Sequence, residues 1–209
     1  MVTRLKVAPV AAEFFGTAIL VMVAVVLTET TAVSYFVATS VAIALAVVVM
    51  LFGSISGAHF NPAITFGIWT ARRIGTLRAI SYVTAQLLGG LASWQLYQYL
   101  VNKPLMAKAV PFNTHLWLAE VIGTFVLAMG VTAAISHAFD TLQAAVIYGT
   151  AFFAGIMIAA VASAGFLNPA IALGVRSWSS VYVLGPLVGG LLGVNLYYLL
   201  FARPLTARK

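Results

Sequence analysis

The chain has 209 residues, of which 63% are hydrophobic and only 7% are charged. This composition excludes an ordinary soluble domain and predicts a membrane protein with almost no residues left for a soluble part. The formal net charge of +7 does not indicate nucleic-acid binding, because the basic residues lie at the edges of apolar segments, as expected of membrane spans. Cysteine is absent, which excludes disulfides, thiolate metal sites and cysteine nucleophiles.

Six apolar stretches are each about as long as the 20 residues that cross the hydrocarbon of a bilayer, and we predict a transmembrane helix in each. They cover residues 8–27, 32–52, 79–100, 116–136, 142–162 and 181–200. The first follows a short basic N-terminal segment without a clear cleavage site, so we expect it to be retained as a helix.

Two shorter apolar pieces begin at Asn61-Pro62-Ala63 and at Asn168-Pro169-Ala170. Asparagine is a favoured N-cap, proline is tolerated at the first helical position, and alanine is the best helix former, so this tripeptide predicts a helix start. Each piece lasts only two or three turns before a polar or basic patch. Since that length cannot span a bilayer, we predict two re-entrant half-helices.

An internal repeat organises the chain into two halves, at about residues 8–105 and 115–205, within one membrane channel domain, 1–209. Glu13 precedes Asn61 by 48 residues, and Glu120 precedes Asn168 by the same 48 residues. Each half holds three spans and one half-helix. Because three is odd, the second half must cross the membrane upside down, which makes this an inverted-topology repeat.

The distribution of basic residues predicts the orientation in the membrane. In the six-span arrangement, one side carries eight Lys and Arg and the other carries three. Both termini are therefore predicted to be cytoplasmic, in a cell (inner or plasma) membrane. The two sets are Arg4, Lys6, Arg72, Arg73, Arg78, Arg203, Arg208 and Lys209 on the first side, and Lys103, Lys108 and Arg176 on the second.

The inverted repeat brings the two half-helix starts together near the middle of the bilayer. Each helix N-terminus carries roughly half a positive charge, which repels cations, while the Asn61 and Asn168 amides can donate hydrogen bonds to neutral solutes. The segments before them, Gly57-Ala58-His59-Phe60 and Gly165-Phe166-Leu167, cannot be helical, so their carbonyls are expected to face a watery cavity. The pattern predicts a passive channel for water and small uncharged solutes.

The segment 56–65, with the sequence SGAHFNPAIT, closely resembles the first signature of the aquaporin, or major intrinsic protein (MIP), family. Gly185-Pro186 and Gly189-Gly190 resemble its last helix. The resemblance covers nearly the whole chain and implies an all-α hourglass fold with six transmembrane helices and two re-entrant half-helices. It also implies a homotetramer in the lipid bilayer, with one pore per subunit and passive two-way flux. We expect no cofactor and no metal.

The chain departs from the family pattern at the selectivity filter. The family usually places Arg after the second Asn-Pro-Ala, where this chain has Ile171; by the family's spacing, Val41, Ile156 and Gly165 complete the filter. An apolar filter can be wide enough for glycerol, urea, ammonia or peroxide, or it can dewet and slow water; we favour the wider, aquaglyceroporin-like pore. Arg176 is either a substitute filter cation or a solvated vestibule charge.

Three residues within apolar surroundings have alternative interpretations. Glu13 and Glu120 are placed where a proton-coupled transporter has its carboxylates, but their matched positions favour buried structural acids that accept hydrogen bonds from the re-entrant backbone, as the resemblance also implies. His59 either lines the vestibule or packs within the loop. The three histidines show no metal-ligand spacing.

Two other functions are compatible with the sequence. An apolar filter is also compatible with a junctional or structural membrane protein whose pore is closed. A proton-coupled transporter would instead use Glu13 or Glu120. An enzyme is not expected, because the chain shows no converging catalytic residues and has Asp140 as its single aspartate.

Overall fold

The computed structural model describes residues 2–202, with side chains from Val7 onward. Within this range the regular structure is α-helical. The side chains of Arg4, Lys6, Arg203, Arg208 and Lys209, which enter the predicted orientation, lie outside the described part, as does the end of the second predicted repeat. The helices are α1 (Val2–Thr30), α2 (Ser34–Ser56), α3 (Pro62–Thr70), α4 (Thr76–Val101), α5 (Thr114–Ser136), α6 (Thr141–Ala159), α7 (Pro169–Gly174) and α8 (Ser180–Leu200).

The six long helices coincide with the six predicted spans. Five of them are long and apolar enough to cross a membrane: α2, α5, α6, α8 and the Val7–Thr30 part of α1. The sixth, α4, has 26 residues, which correspond to about 39 Å of helix. It carries three glutamines and three tyrosines among its apolar residues, so it has the length of a span with a less apolar composition.

The two short helices begin as predicted. Asn61 and Asn168 both have extended backbones and act as N-caps. The Asn61 side-chain oxygen accepts a hydrogen bond from the Ala63 N–H at 2.8 Å, and that of Asn168 accepts one from Ala170 at 2.9 Å. The helices last nine and six residues, too short to cross a bilayer, so both are half-helices.

Glycine contacts hold each half-helix against the other half of the chain. A Cβ on Gly90 of α4 would lie 2.6 Å from the Ala170 carbonyl oxygen of α7. Gly190 of α8 approaches the Ala63 carbonyl oxygen of α3 in the same way. Since neither site has room for a side chain, these glycines allow the close packing that fixes both half-helices.

Candidate functional site

The starts of the two half-helices meet at the centre of the molecule. The Asn61 side-chain amide donates to the Leu167 carbonyl at 2.8 Å, and the Asn168 amide donates to the Phe60 carbonyl at 2.9 Å. The two asparagines are 3% and 1% exposed. Each amide nitrogen carries two hydrogens, so one hydrogen on each asparagine amide remains available after these contacts.

Left-handed backbone conformations shape both loops that precede the half-helices. Positive φ values occur at Ala58 (57°) and Phe60 (44°), and at the equivalent Gly165 (66°) and Leu167 (52°). The loops were expected to turn their free carbonyls towards a watery cavity. The carbonyls of Phe60 and Leu167 accept the crossing asparagine amides, because the two loops lie directly against each other.

Glu13 holds the first loop from inside α1. The carboxylate is fully buried and accepts hydrogen bonds from the Ser56 hydroxyl at 2.6 Å and from the backbone N–H of His59 at 3.0 Å and of Phe60 at 2.6 Å. A fourth donor is the Gln86 side-chain amide, at 2.8 Å. Four donors on one carboxylate correspond to the structural role weighed above, in which the acid stabilises the re-entrant backbone.

Glu120 makes the matching contacts in the second half. It is also fully buried and accepts from the Ser163 hydroxyl at 2.7 Å and from the N–H groups of Phe166 at 3.1 Å and Leu167 at 2.8 Å. The sequence separations are the same as those of the equivalent Glu13 contacts. The two halves thus hold their loops with the same set of hydrogen bonds.

A chain of buried polar side chains extends this network in the first half alone. The Gln86 amide donates to the Thr65 hydroxyl at 2.8 Å, and that hydroxyl lies 3.0 Å from Nδ1 of His59. His59 is 6% exposed and its ring lies edge-on to Tyr82. His59 therefore packs within the loop and also lines a central cavity between the half-helix starts.

A central cavity of about 10 Å³ lies between the half-helix starts. That is about the space needed for one water molecule. His59, Asn61 and Asn168 give it polar walls. The rest of the wall is mostly apolar, and includes Leu20, Leu45, Ile64, Leu127, Val131 and Phe152.

A wider vestibule of about 220 Å³ opens on the side of the α5–α6 connection. Gly57 and Ala58 form part of its wall. Tyr148 of α6 lines both the vestibule and the central cavity, so it lies where the two meet. Sequence reasoning missed Tyr148, because it sits in an apolar span without a motif around it.

The four filter positions are buried in this structure. Val41, Ile156 and Ile171 are 2%, 3% and 2% exposed, and all three belong to the apolar core. A Cβ on Gly165 would lie 3.2 Å from Cγ2 of Ile156. The branched side chain of Ile156 therefore lies directly against Gly165.

Arg176 lies against α4 and the loop that follows it. Its guanidinium lies 4.3 Å above the Trp94 ring and donates to the Leu105 carbonyl at 2.8 Å. The residue is half-buried. It therefore connects the segment after the second half-helix to α4 and to the loop after α4.

Comparisons with known proteins agree with this architecture. A family model described as "Major intrinsic protein" matches residues 2–198. The chain is 33% identical over 173 residues to a probable TIP-type aquaporin of Medicago truncatula, covering 77% of this chain and 69% of the relative. It is 31% identical over 178 residues to aquaporin AqpM of Methanothermobacter marburgensis, covering 74% and 72%. Lens fiber major intrinsic protein of Rattus norvegicus is 33% identical over 184 residues, covering 80% and 70%.

One solved structure extends the comparison to the fold. The X-ray structure of the aquaglyceroporin from Plasmodium falciparum superposes with a TM-score of 0.77, covering 91% of this chain and 95% of that one. Only 20% of the aligned residues are identical, so this likeness concerns the fold alone. It confirms the predicted arrangement of six transmembrane helices and two half-helices.

Proposed function

Because the chain belongs to the major intrinsic protein family, we propose that it conducts water and small uncharged solutes passively and excludes cations. Membership makes the chain an integral, multi-pass membrane channel for water or small solutes, and not an enzyme. The exclusion of cations is the more specific part of the proposal, and it rests on the two half-helix starts.

The observation that carries this proposal is the reciprocal contact of Asn61 and Asn168 around a cavity of about 10 Å³. Two helix N-termini at this point place positive potential where a cation would lose its hydration shell. A neutral molecule with a lone pair can accept the remaining amide hydrogens instead. The barrier to cations therefore does not need an arginine at Ile171.

Size supports water as the first solute. The central cavity holds about one water molecule, and Val41, Ile156 and Ile171 are almost completely buried. Ammonia and peroxide are similar to water in size. Glycerol and urea are larger, so their passage needs these three side chains to move apart.

Stopped-flow light scattering on reconstituted vesicles tests the proposal. Sucrose, glycerol and urea gradients separate the permeability to water from that to each solute, with protein-free vesicles as the control. We expect water permeability well above that of the control, and a smaller response to glycerol and urea. Permeability equal to the control for every solute would overturn the channel proposal.

The arrangement of the whole protein in its membrane is also part of the proposal. The matched Glu13 and Glu120 contacts support one channel domain built from inverted repeats at about 8–105 and 115–205. We propose a homotetramer in the lipid bilayer of a cell membrane, with one pore per subunit and both termini in the cytoplasm. The excess of Lys and Arg on one side supports this orientation.

A structural or junctional protein with a closed pore is the second candidate function. The packed side chains of Val41, Ile156 and Ile171 favour it. The same vesicle assay decides between the two, because a closed pore gives no solute flux. A proton-coupled transporter has less support, since Glu13 and Glu120 are already occupied by three or four hydrogen-bond donors each.

A further inference from the structure

An apolar groove of about 400 Å³ runs along the outer surface between α3 and α4. Phe66 and Trp69 of α3 form one wall. The other wall is a single stripe of α4, whose members are three or four residues apart and include Thr76, Ile80 and Val83. None of these residues lines the central cavity or the vestibule, so the groove is separate from the pore.

A basic surface adjoins one end of this groove. A shallow cavity of about 610 Å³ is lined by Arg72 and Arg73 and shares Trp69 and Thr76 with the groove. Both arginines are exposed. The Arg73 guanidinium lies 4.2 Å above the Tyr198 ring, which holds it in place.

The carboxylates of this chain are all engaged elsewhere. The sequence has four acidic residues. Glu13 and Glu120 are buried under the loops, Glu29 pairs with Lys108 at 2.6 Å, and Asp140 caps α6. The positive charge of Arg72 and Arg73 therefore faces outward, where an external anion can neutralise it.

We propose that the groove and the adjoining arginines bind one anionic phospholipid. The arginines lie on the loop at the start of α4, at the depth of lipid headgroups, and Trp69 beside them is of the residue type enriched at that depth. From Thr76 the stripe continues for eight residues to Thr84, about 12 Å into the hydrocarbon region. The phosphate contacts the arginines and one acyl chain fills the groove.

Charge complementarity selects this occupant. Basic pockets beside transmembrane helices bind anionic headgroups, whereas a zwitterionic lipid fills the groove without neutralising the arginines. A second copy of the chain is a poor partner for these arginines in particular, because its four acidic side chains are engaged in the same contacts. An anionic lipid satisfies the charged and the apolar part of the surface together.

Trp69 offers a direct measurement, because it lines both the groove and the basic surface. A variant with Trp94→Phe, Trp117→Phe and Trp178→Phe keeps Trp69 as the one tryptophan of the chain. It is reconstituted in phosphatidylcholine vesicles with a minor fraction of dibrominated phosphatidylglycerol, or with the same fraction of dibrominated phosphatidylcholine. We expect stronger quenching of Trp69 fluorescence by the anionic lipid.

Arginine removal tests the headgroup contact. The double variant Arg72→Gln, Arg73→Gln should abolish the preference for the anionic lipid. Each arginine removed should lower the binding of the anionic lipid, relative to the zwitterionic one, about fivefold. Lys103→Gln with Lys108→Gln removes the same charge beyond the other end of α4 and should leave the preference unchanged. Equal quenching by both lipids in the protein with intact arginines would overturn the proposal, as would a preference that survives without them.

Filling the groove tests the acyl-chain contact. Thr84→Phe places a bulky ring in the groove and should reduce quenching by both brominated lipids. Leu88→Phe, one turn further along α4 at an exposed position outside the groove, should leave quenching unchanged. Equal quenching in these two variants would show that the acyl chain lies outside the groove. The readout is independent of transport, so it separates this site from the proposed channel function.

Discussion

Asn61 and Asn168 each perform two structural tasks with one side chain. The amide oxygen caps the residue's own half-helix, and the amide nitrogen donates to the loop of the opposite half. One hydrogen on each nitrogen then remains for a solute in the central cavity. The same residues thus join the two halves and, with His59, give the central cavity its polar walls.

We expect the apolar residues predicted to form the filter to determine which solutes pass. Ile156→Ala removes a branched side chain that packs against Gly165. We expect a severalfold increase in glycerol permeability in the stopped-flow assay, because the space opens beside the pathway. Ile158→Ala is the matched control, since Ile158 lies on the same helix but is 42% exposed. Equal glycerol permeability in the two variants would place the filter at other residues.

The buried acids should behave as structural groups. The two carboxylate oxygens of Glu120 accept hydrogen bonds from three donors, and Glu120→Gln leaves only one accepting oxygen. We expect the free energy of unfolding to fall by about 1–3 kcal/mol, because a buried donor is left unsatisfied. Thermal unfolding in detergent should show a lower Tm. Glu29→Gln is the control, because a surface ion pair contributes about 0–1 kcal/mol. An unchanged Tm with loss of pH-driven flux would support the proton-relay interpretation instead.

In the proposed channel, the N-termini of the two half-helices form the barrier to cations. Asn61→Asp keeps a capping oxygen for Ala63 but adds a negative charge beside the central cavity. We expect a cation leak, measured as the decay of a proton or sodium gradient across vesicles, because the charge offsets the positive helix ends.

The matched control for this variant is Asn113→Asp. Asn113 is also an N-cap, at α5, but it is exposed. This substitution should leave the gradient intact, since its charge is solvated and far from the cavity. If vesicles with the Asn61→Asp channel kept their proton or sodium gradient, the barrier to cations would lie at another point of the path.

The orientation of the whole molecule can be measured because the chain contains no cysteine. Lys103→Cys and Arg72→Cys place single thiols at exposed positions just beyond the two ends of α4. A membrane-impermeant thiol reagent on intact cells should label Cys at position 103 directly, and Cys at position 72 only after permeabilisation. The opposite pattern would reverse the proposed placement of the termini.

The sequence alone was sufficient to predict the six long helices, the two half-helices and the matched positions of Glu13 and Glu120. These features follow from the length of apolar runs, from capping chemistry and from repeat spacing, all of which are local or periodic properties of the chain.

Only the tertiary structure decided how the centre is packed. It buried Val41, Ile156 and Ile171 in the apolar core, directed each asparagine amide to the opposite loop, and placed Arg176 on Trp94. It also placed Tyr148 between the vestibule and the central cavity. These outcomes depend on which side chains from distant segments share one space, and spacing along a single sequence does not contain that information.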